Sequence, residues 1–268
     1  MSLLEIKHVT VQKGEHCLLQ DVSLSIESGE WLGLIGESGS GKSLTAAAIG
    51  KLLPPEMQMK GSILIENLDI SSLKQKDMQK ARGSLFSYVF QDYYSSFTPF
   101  FTIGRHFLEY IKTHRNLSKR ACKTLALEAL HEAGLPAERV YRSYPVQLSG
   151  GQLQRASIAM AMLLKPKLFI ADEPTTALDS ITSHHILDLI CKMKKETNCA
   201  VLFITHDLRH IGRHADRIAV MKEGRIIETG EKTKVLAQPV HPYTKHLISS
   251  VPVIEGLGTS MAKAGGNA

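Results

Sequence analysis

The stretch Trp31-Leu32-Gly33-Leu34-Ile35-Gly36-Glu37-Ser38-Gly39-Ser40-Gly41-Lys42-Ser43 decides the fold. Residues 31–35 read as a short apolar strand, and the run from Gly36 to Ser43 matches G-x-x-x-x-G-K-[ST]. Residues 44–53 then have helical composition, with Pro54-Pro55 expected to stop the helix. In the order strand, glycine loop, helix, the bare backbone amides of residues 36–43 can turn toward phosphate oxygens at a helix N-terminus. Lys42 is then placed to reach the β and γ phosphates, and the Ser43 hydroxyl to ligate Mg²⁺. The loop thus predicts a nucleotide site built from Gly36, Glu37, Ser38, Gly39, Ser40, Gly41, Lys42 and Ser43.

Outward from this loop the chain alternates between strand and helix patterns. Residues 4–11 and 22–26 carry apolar side chains at spacing two, with a turn at Glu27-Ser28-Gly29. Past Gly61 a further strand pair and a polar link are expected, then a buried strand over 85–90 that ends at Gln91. Residues 92–166 read as mostly helical, with Ser118 as an N-cap, a helix over 121–133 and Gly134 as its stop; this is the expected inserted helical lobe. The alternation then resumes with a strand over 167–171, a helix over 180–195, a strand over 200–204, a short helix after His206, and strands flanking Glu223-Gly224. The expectation is one α/β domain over residues 1–250, with 251–268 as a loose tail and no internal repeat.

Composition narrows the class. The 268 residues are 43% hydrophobic, enough for a full core. No stretch approaches the roughly 18–20 apolar residues of a membrane-spanning helix, and the opening MSLLEIKHVT alternates like a strand, so neither a span nor a secretion signal is expected. Lys plus Arg less Asp plus Glu is 32 − 26 = +6, which suits an anionic ligand, an anionic membrane surface or nucleic acid alike. Cys17, Cys122, Cys191 and Cys199 form no CxxC pair and are read as reduced thiols of a cytosolic protein, not a metal site.

Two further motifs carry chemistry. At Leu168-Phe169-Ile170-Ala171-Asp172-Glu173 an apolar strand ends in two acids, the first suited to hydrated Mg²⁺ and the second to polarising a water. At Leu148-Ser149-Gly150-Gly151-Gln152 a hydroxyl and two glycines precede an apolar helix, a second anion site in a chain that already has one. One nucleotide has no need of both. The economical reading is that Ser149, Gly150, Gly151 and Gln152 serve the nucleotide of a partner chain, so that two chains sandwich two ATP molecules.

Taken together, the phosphate loop, Gln91, LSGGQ, Asp172-Glu173, Ala177-Leu178-Asp179 and His206 resemble, in order and spacing, the ATPases of ABC transporters over about residues 3–250. The resemblance implies a RecA-like P-loop core with an antiparallel β subdomain and an inserted α-helical subdomain. It implies Glu173 as general base, His206 as a γ-phosphate contact, Gln91 as a Mg²⁺ and water contact at the hinge of the helical lobe, and Asp179 at the dimer interface. ATP and Mg²⁺ are the expected cofactors. The family places an aromatic residue ahead of the phosphate loop to stack on adenine, whereas here that neighbourhood reads Val11-Gln12-Lys13. Stacking by His16 or apolar contact would replace it, with looser base discrimination.

Within that family, His241-Pro242-Tyr243-Thr244-Lys245-His246-Leu247 and Ser143-Tyr144-Pro145 resemble the peptide and nickel importer branch. The resemblance implies a peripheral protein on the cytoplasmic side of the cell membrane. Its partners would be a second ATPase subunit, of a different chain, two membrane permeases and an extracellular binding protein, with QDYYSSFTPFFT (91–102) as the permease-docking segment. The short chain, the absence of cysteine after Cys199, Leu153 and Phe97 look closest to nickel and metal-chelate import subunits; an oligopeptide or dipeptide importer is the alternative. His206, His210 and His214 share a helical spacing, but a solvated face is expected there in preference to a metal site, and His184-His185 diverge on their helix. From other classes, a soluble ABC ATPase acting on nucleic acid or ribosomes would suit the charge, but a single cassette without heptads argues against it and nucleic acid is not an expected partner. A P-loop kinase leaves LSGGQ unexplained.

Overall fold

A computed structural model describes residues 2–176 and 178–250; Ala177 of the Ala177-Leu178-Asp179 motif and the expected loose tail lie outside the described residues. The opening hairpin is longer than its apolar centre suggests. β1 (Ser2–Lys13) and β2 (His16–Glu27) pair along their length, turning at Gly14 with φ 58°. β3 (Trp31–Ile35) follows as read. α1 (Lys42–Ile49) stops well before Pro54, because Gly50 and Lys51 close it: the Gly50 amide bonds back to Ala46 O and Lys51 takes φ 51°.

β4 (Met57–Ile65) begins ahead of Gly61, and β5 (Leu68–Asp69) completes that pair. Gly61 (φ 92°) lies inside β4, where a Cβ would run into the His8 carbonyl of β1. The polar link contains a helix the sequence reading did not assign, α2 (Gln75–Ser84), broken at Arg82 and Gly83. It buries only Met78, Ala81 and Gly83, too few apolar positions to reveal its period. β6 is Phe86–Val89.

Residues 92–102 are not helical; the helices start at α3 (Ile103–His114), whose N-cap Thr102 accepts the Arg105 amide. α4 (Lys119–Glu132) starts as read at Ser118, whose Oγ accepts the Ala121 amide at 3.2 Å. α5 (Ala137–Arg142), a 3-10 turn at Pro145–Gln147 and α6 (Gly150–Met162) complete the insertion. Then come β7 (Leu168–Asp172), α7 (Ser180–Thr197), β8 (Ala200–Ile204), α8 (Leu208–His214), β9 (Arg217–Lys222), β10 (Arg225–Glu231), α9 (Lys232–Ala237) and α10 (Pro242–Ser249). The β9–β10 turn puts Glu223 and Gly224 at φ 48° and 77°, the positive values that a two-residue hairpin turn requires.

Two sheets result. One is antiparallel, in the order β2-β1-β4-β5; the other runs β10-β9-β3-β8-β7-β6, parallel throughout except for β10. Alternation along the parallel strands builds two separate cores. Trp31, Phe169, Val201 and Phe203 face one way and join Phe107, Leu130, Val140 and Leu153 of the helical layer. Leu32, Ile170 and Leu202 face the other way and join Leu4, Val22 and Ile63 of the antiparallel sheet together with Ile49 of α1. Cys122 and Cys199 are buried, and burial pushes the Cys199 thiol up to about 12, so it stays neutral. Phe203 is fully buried on the central strand β8. Phe203→Ala is expected to cost about 3–5 kcal/mol of stability, read as the shift in a chemical denaturation midpoint.

Candidate functional site

The loop between β3 and α1 is shaped by what lies behind it. A Cβ on Gly36 would strike the Met221 carbonyl of β9, and one on Gly41 (φ 108°) would meet Leu19 of β2 at 2.8 Å. Side chains there would push the loop off its floor. Lys42 is only 6% exposed, and its ammonium donates to the Gly36 and Glu37 carbonyls, both at 2.8 Å. Burial lowers its pKa, while Glu173, Asp172 and Glu37 act to raise it. The first residue of the helix is therefore a cation folded over the rim of its own loop, within the field of two carboxylates on β7 and just beyond.

Asp172 closes β7 beside the start of α1. The Ser43 hydroxyl donates to its Oδ1 at 3.0 Å, and the Tyr88 hydroxyl of β6 donates to its Oδ2 at 3.0 Å. Burial raises the Asp172 pKa, and the two hydroxyls oppose that shift. Burial and the neighbouring carboxylate together push the Tyr88 phenol up, so Tyr88 remains a proton donor. Glu173 follows in a left-handed conformation, φ 51°, rare for a residue with a Cβ. That turn is held by its amide bonding to Ile204 O at 2.9 Å, and it aims the carboxylate away from the strand. His206 Nδ1 lies against both of its oxygens, 2.8 Å from Oε1 and 2.7 Å from Oε2, and Oε2 also accepts from the Thr176 hydroxyl at 2.6 Å. His206 is 66% exposed, so its ring reaches outward from this grip.

The second motif opens α6. Ser149 is its N-cap: Oγ accepts the Gln152 amide while Gln152 Oε1 accepts the Ser149 amide, a reciprocal cap. The amides of Gly150 and Gly151, first in the helix, have no helical acceptor. Gly151 abuts Thr182 of α7, where a Cβ would collide with the threonine methyl, and the Thr182 hydroxyl donates to Asp179 at 2.7 Å. Asp179 caps α7, accepting the Ile181 and Thr182 amides, and these hydrogen bonds hold its exposed carboxyl below the usual range. Ser149–Gln152 and Asp179 therefore adjoin, on elements other than the phosphate loop. Among the described residues no hydrogen bond joins them to it.

Several contacts were not foreseen. Tyr88, read only as part of a buried strand, holds Asp172. Gln154, fully buried in α6, donates to the Pro174 carbonyl at 2.8 Å and so ties that helix to the chain just after Glu173. Its position one helical turn after Gly150 in an apolar helix was the available signal. Tyr243 of α10 reaches the phosphate loop. Gln91 stands exposed after β6, and neither Ser43 nor Asp172 bonds to it.

Val11 is buried in the core, while Lys13 and His16 face each other, exposed, at the end of the first hairpin. The histidines expected on a solvated face are not all there. His210 lies within 3.5 Å of Asp207, and His214 stacks on Trp31, its Nδ1 3.2 Å from Cys191 Sγ. Among the described residues no His, Cys, Asp and Glu cluster could hold a metal ion. Gln154→Leu leaves the Pro174 carbonyl without its buried donor; a loss of about 1–3 kcal/mol is expected, measured by thermal unfolding against the unsubstituted protein.

The ABC transporter family matches residues 19–176, and the family described as oligopeptide/dipeptide transporter, C-terminal region, matches residues 227–268. The metal-staphylopine import system ATP-binding protein CntD of Staphylococcus aureus is 42% identical over 253 residues, 93% of each chain. The oligopeptide transport ATP-binding protein OppD of Bacillus subtilis is 41% identical over 263 residues, 96% of this chain and 74% of its own. The dimeric ATP-binding cassette MJ0796, solved in a post-hydrolysis state bound to ADP and Pi, superposes with a TM-score of 0.76 at 34% identity, covering 85% of this chain and 98% of that one. With a family match over more than half its length and relatives above two-fifths identity across nearly all of it, the chain belongs to the ATP-binding subunits of ABC transporters, in the branch marked by the oligopeptide/dipeptide C-terminal region.

Proposed function

We propose that this chain hydrolyses ATP to drive an importer of the peptide and nickel type, with nickel or a metal chelate as cargo. The observation that carries the chemistry is the Glu173 carboxylate, held between Thr176 and His206 next to the Ser43–Asp172 pair at the mouth of the phosphate loop. The loop amides of residues 36–43 and the Lys42 ammonium take the β and γ phosphates, which draws Lys42 off the carbonyls it now meets.

Ser43 Oγ and the Asp172 carboxylate, hard oxygens 3.0 Å apart at a helix start, fit Mg²⁺, with Gln91 brought in from the hinge of the helical lobe. Bound Mg²⁺ supplies neutralisation of the charge on the phosphate oxygens. Tyr88 holds Asp172 Oδ2, so that Oδ1, beside Ser43, would be the oxygen offered to Mg²⁺. Glu173 accepts the proton of the attacking water. When His206 turns to the γ phosphate, it uncovers the Glu173 carboxylate for the attacking water.

Ser149, Gly150, Gly151 and Gln152 offer a hydroxyl and free amides to the nucleotide of a second ATPase subunit, of a different chain, with Asp179 at the shared interface. The dimeric neighbour with ADP and Pi supports this sandwich. Phe100, 82% exposed, with Tyr94 also exposed, supports docking of a permease on the segment 91–102, whereas Phe97 of the same segment is buried core. Two permeases and an extracellular binding protein complete the assembly, and the chain sits peripherally on the cytoplasmic side of the membrane. Among the described residues no helix is long and apolar enough to cross one. Adenine is held by stacking on the exposed His16 or by apolar contact, with loose base discrimination in either case.

For cargo, the metal-chelate reading is supported by CntD, which matches over 93% of both chains. The oligopeptide reading is favoured by the C-terminal family match and by OppD. Glu173→Gln is expected to bind ATP and close the dimer while turnover drops by about 10²–10⁴; phosphate release at the normal rate would remove Glu173 from the base role. Uptake of radiolabelled nickel, of other divalent metals with and without chelator, and of short peptides, compared in cells with and without Lys42→Ala, separates the cargoes. Loss of metal uptake alone supports the chelate reading, and loss of peptide uptake alone moves the chain to the peptide side.

A further inference from the structure

We infer that Tyr243, in the C-terminal region, is a positioning residue for the nucleotide: its hydroxyl holds the first peptide of the phosphate loop in the orientation that ATP binding requires. This rests on the nucleotide-site reading above and extends it to a part of the chain 206 positions away. The Tyr243 hydroxyl accepts the Glu37 amide at 2.9 Å. The carbonyl of the same peptide unit, Gly36 O, accepts from Lys42 Nζ at 2.8 Å. One peptide plane is thus gripped on both edges, by the loop's own lysine on one side and by α10 on the other. Gly36 itself is pressed against the Met221 carbonyl, so the plane's remaining freedom is rotation, and the Tyr243 bond removes it.

The tyrosine is held as firmly as the loop it touches. Glu228 of β10 accepts the Val240 and His241 amides at 2.9 and 3.0 Å, which pins the start of α10 to the sheet. His241 caps the helix by accepting the Tyr243 amide on Nδ1 at 3.1 Å, and Pro242 sets its first turn. The Tyr243 ring is 9% exposed, with the Lys222 ammonium 5.3 Å over its face. Lys222 ends the strand whose Met221 forms the floor of the loop. The Met221 floor under Gly36 and the Tyr243 tether therefore come from one block, β9, β10 and α10.

A loop that binds phosphate through consecutive amides gains affinity from having them aligned beforehand. Lys42 must leave Gly36 O to meet a phosphate, and at that moment Tyr243 is the contact that still fixes the plane. Without the hydroxyl the amide of the exposed residue Glu37 loses its partner while the Tyr243 ring stays packed, so the loss falls on loop order and not on the fold.

The test is Tyr243→Phe in the full chain, with ATP affinity measured by equilibrium titration in Mg²⁺ beside wild type and Lys42→Ala. The expected result is a Kd about 3–10-fold higher, with the melting temperature of the nucleotide-free variant within about 2 °C of wild type. A Kd raised less than threefold overturns the inference, and so does a raised Kd accompanied by a larger drop in melting temperature, which would make Tyr243 a packing residue. Binding unchanged in Lys42→Ala would instead sink the nucleotide-site reading itself, so the two failures are distinguishable.

Discussion

Ser43 and Asp172 stand 129 residues apart and meet at 3.0 Å. That hydrogen bond joins the first turn of α1 to the end of β7, and the surrounding structure is arranged so that it can form. β3 and β7 are separated by β8 in one parallel sheet, so all three end on the same side and deliver the phosphate loop, the two acids and His206 to one edge. A shift of one residue in the register of β7 would turn Asp172 to the other face of the sheet and break the pair. The alternation that sends Phe169 and Ala171 to one core and Leu168 and Ile170 to the other makes such a shift costly in two cores at once.

The same edge is buttressed by hydroxyls that donate to carboxylates, and at Asp172 they oppose the rise in pKa that burial causes. Tyr88 and Ser43 share Asp172, and Thr176 with His206 shares Glu173. Lys42 adds the positive charge, itself depressed by burial and supported by the acids. The result is a small set of mutually dependent ionisations in which no group is set alone. Its members come from β6, β7, α1 and the segments that follow β7 and β8.

Coupling between the layers runs through short polar contacts across an otherwise apolar seam. Gln154 fastens α6 to the Pro174 carbonyl, and Gly151 lets α6 close on Thr182, which in turn holds Asp179. The segment from Glu173 to Asp179 is therefore fixed to the LSGGQ helix near both of its ends. The Gln154 bond ties the helical layer to Pro174, the residue after Glu173, and α10 likewise brings Tyr243 to the phosphate loop.

The local order of strand, glycine loop and helix, the acids at the end of an apolar strand, the Ser118 cap and the Glu223-Gly224 turn were all legible in the sequence, because each depends on neighbours a few residues away. Helix ends were less so: α1 stops at Gly50 and not at the prolines, and α2 was hidden because its packing rests on few apolar residues. Contacts between distant segments had no local signature. Tyr88 looked like one more strand aromatic, His214 like a surface residue, and Tyr243 like part of a tail motif, until the sheet order placed them against Asp172, Trp31 and Glu37. The sequence by itself determined which chemistry the chain carries, since that is written in residue types at short spacing. Which side chains hold those groups in place was decided only by tertiary structure, because a hydrogen bond across more than a hundred residues exists only once strand order and register have brought its partners together.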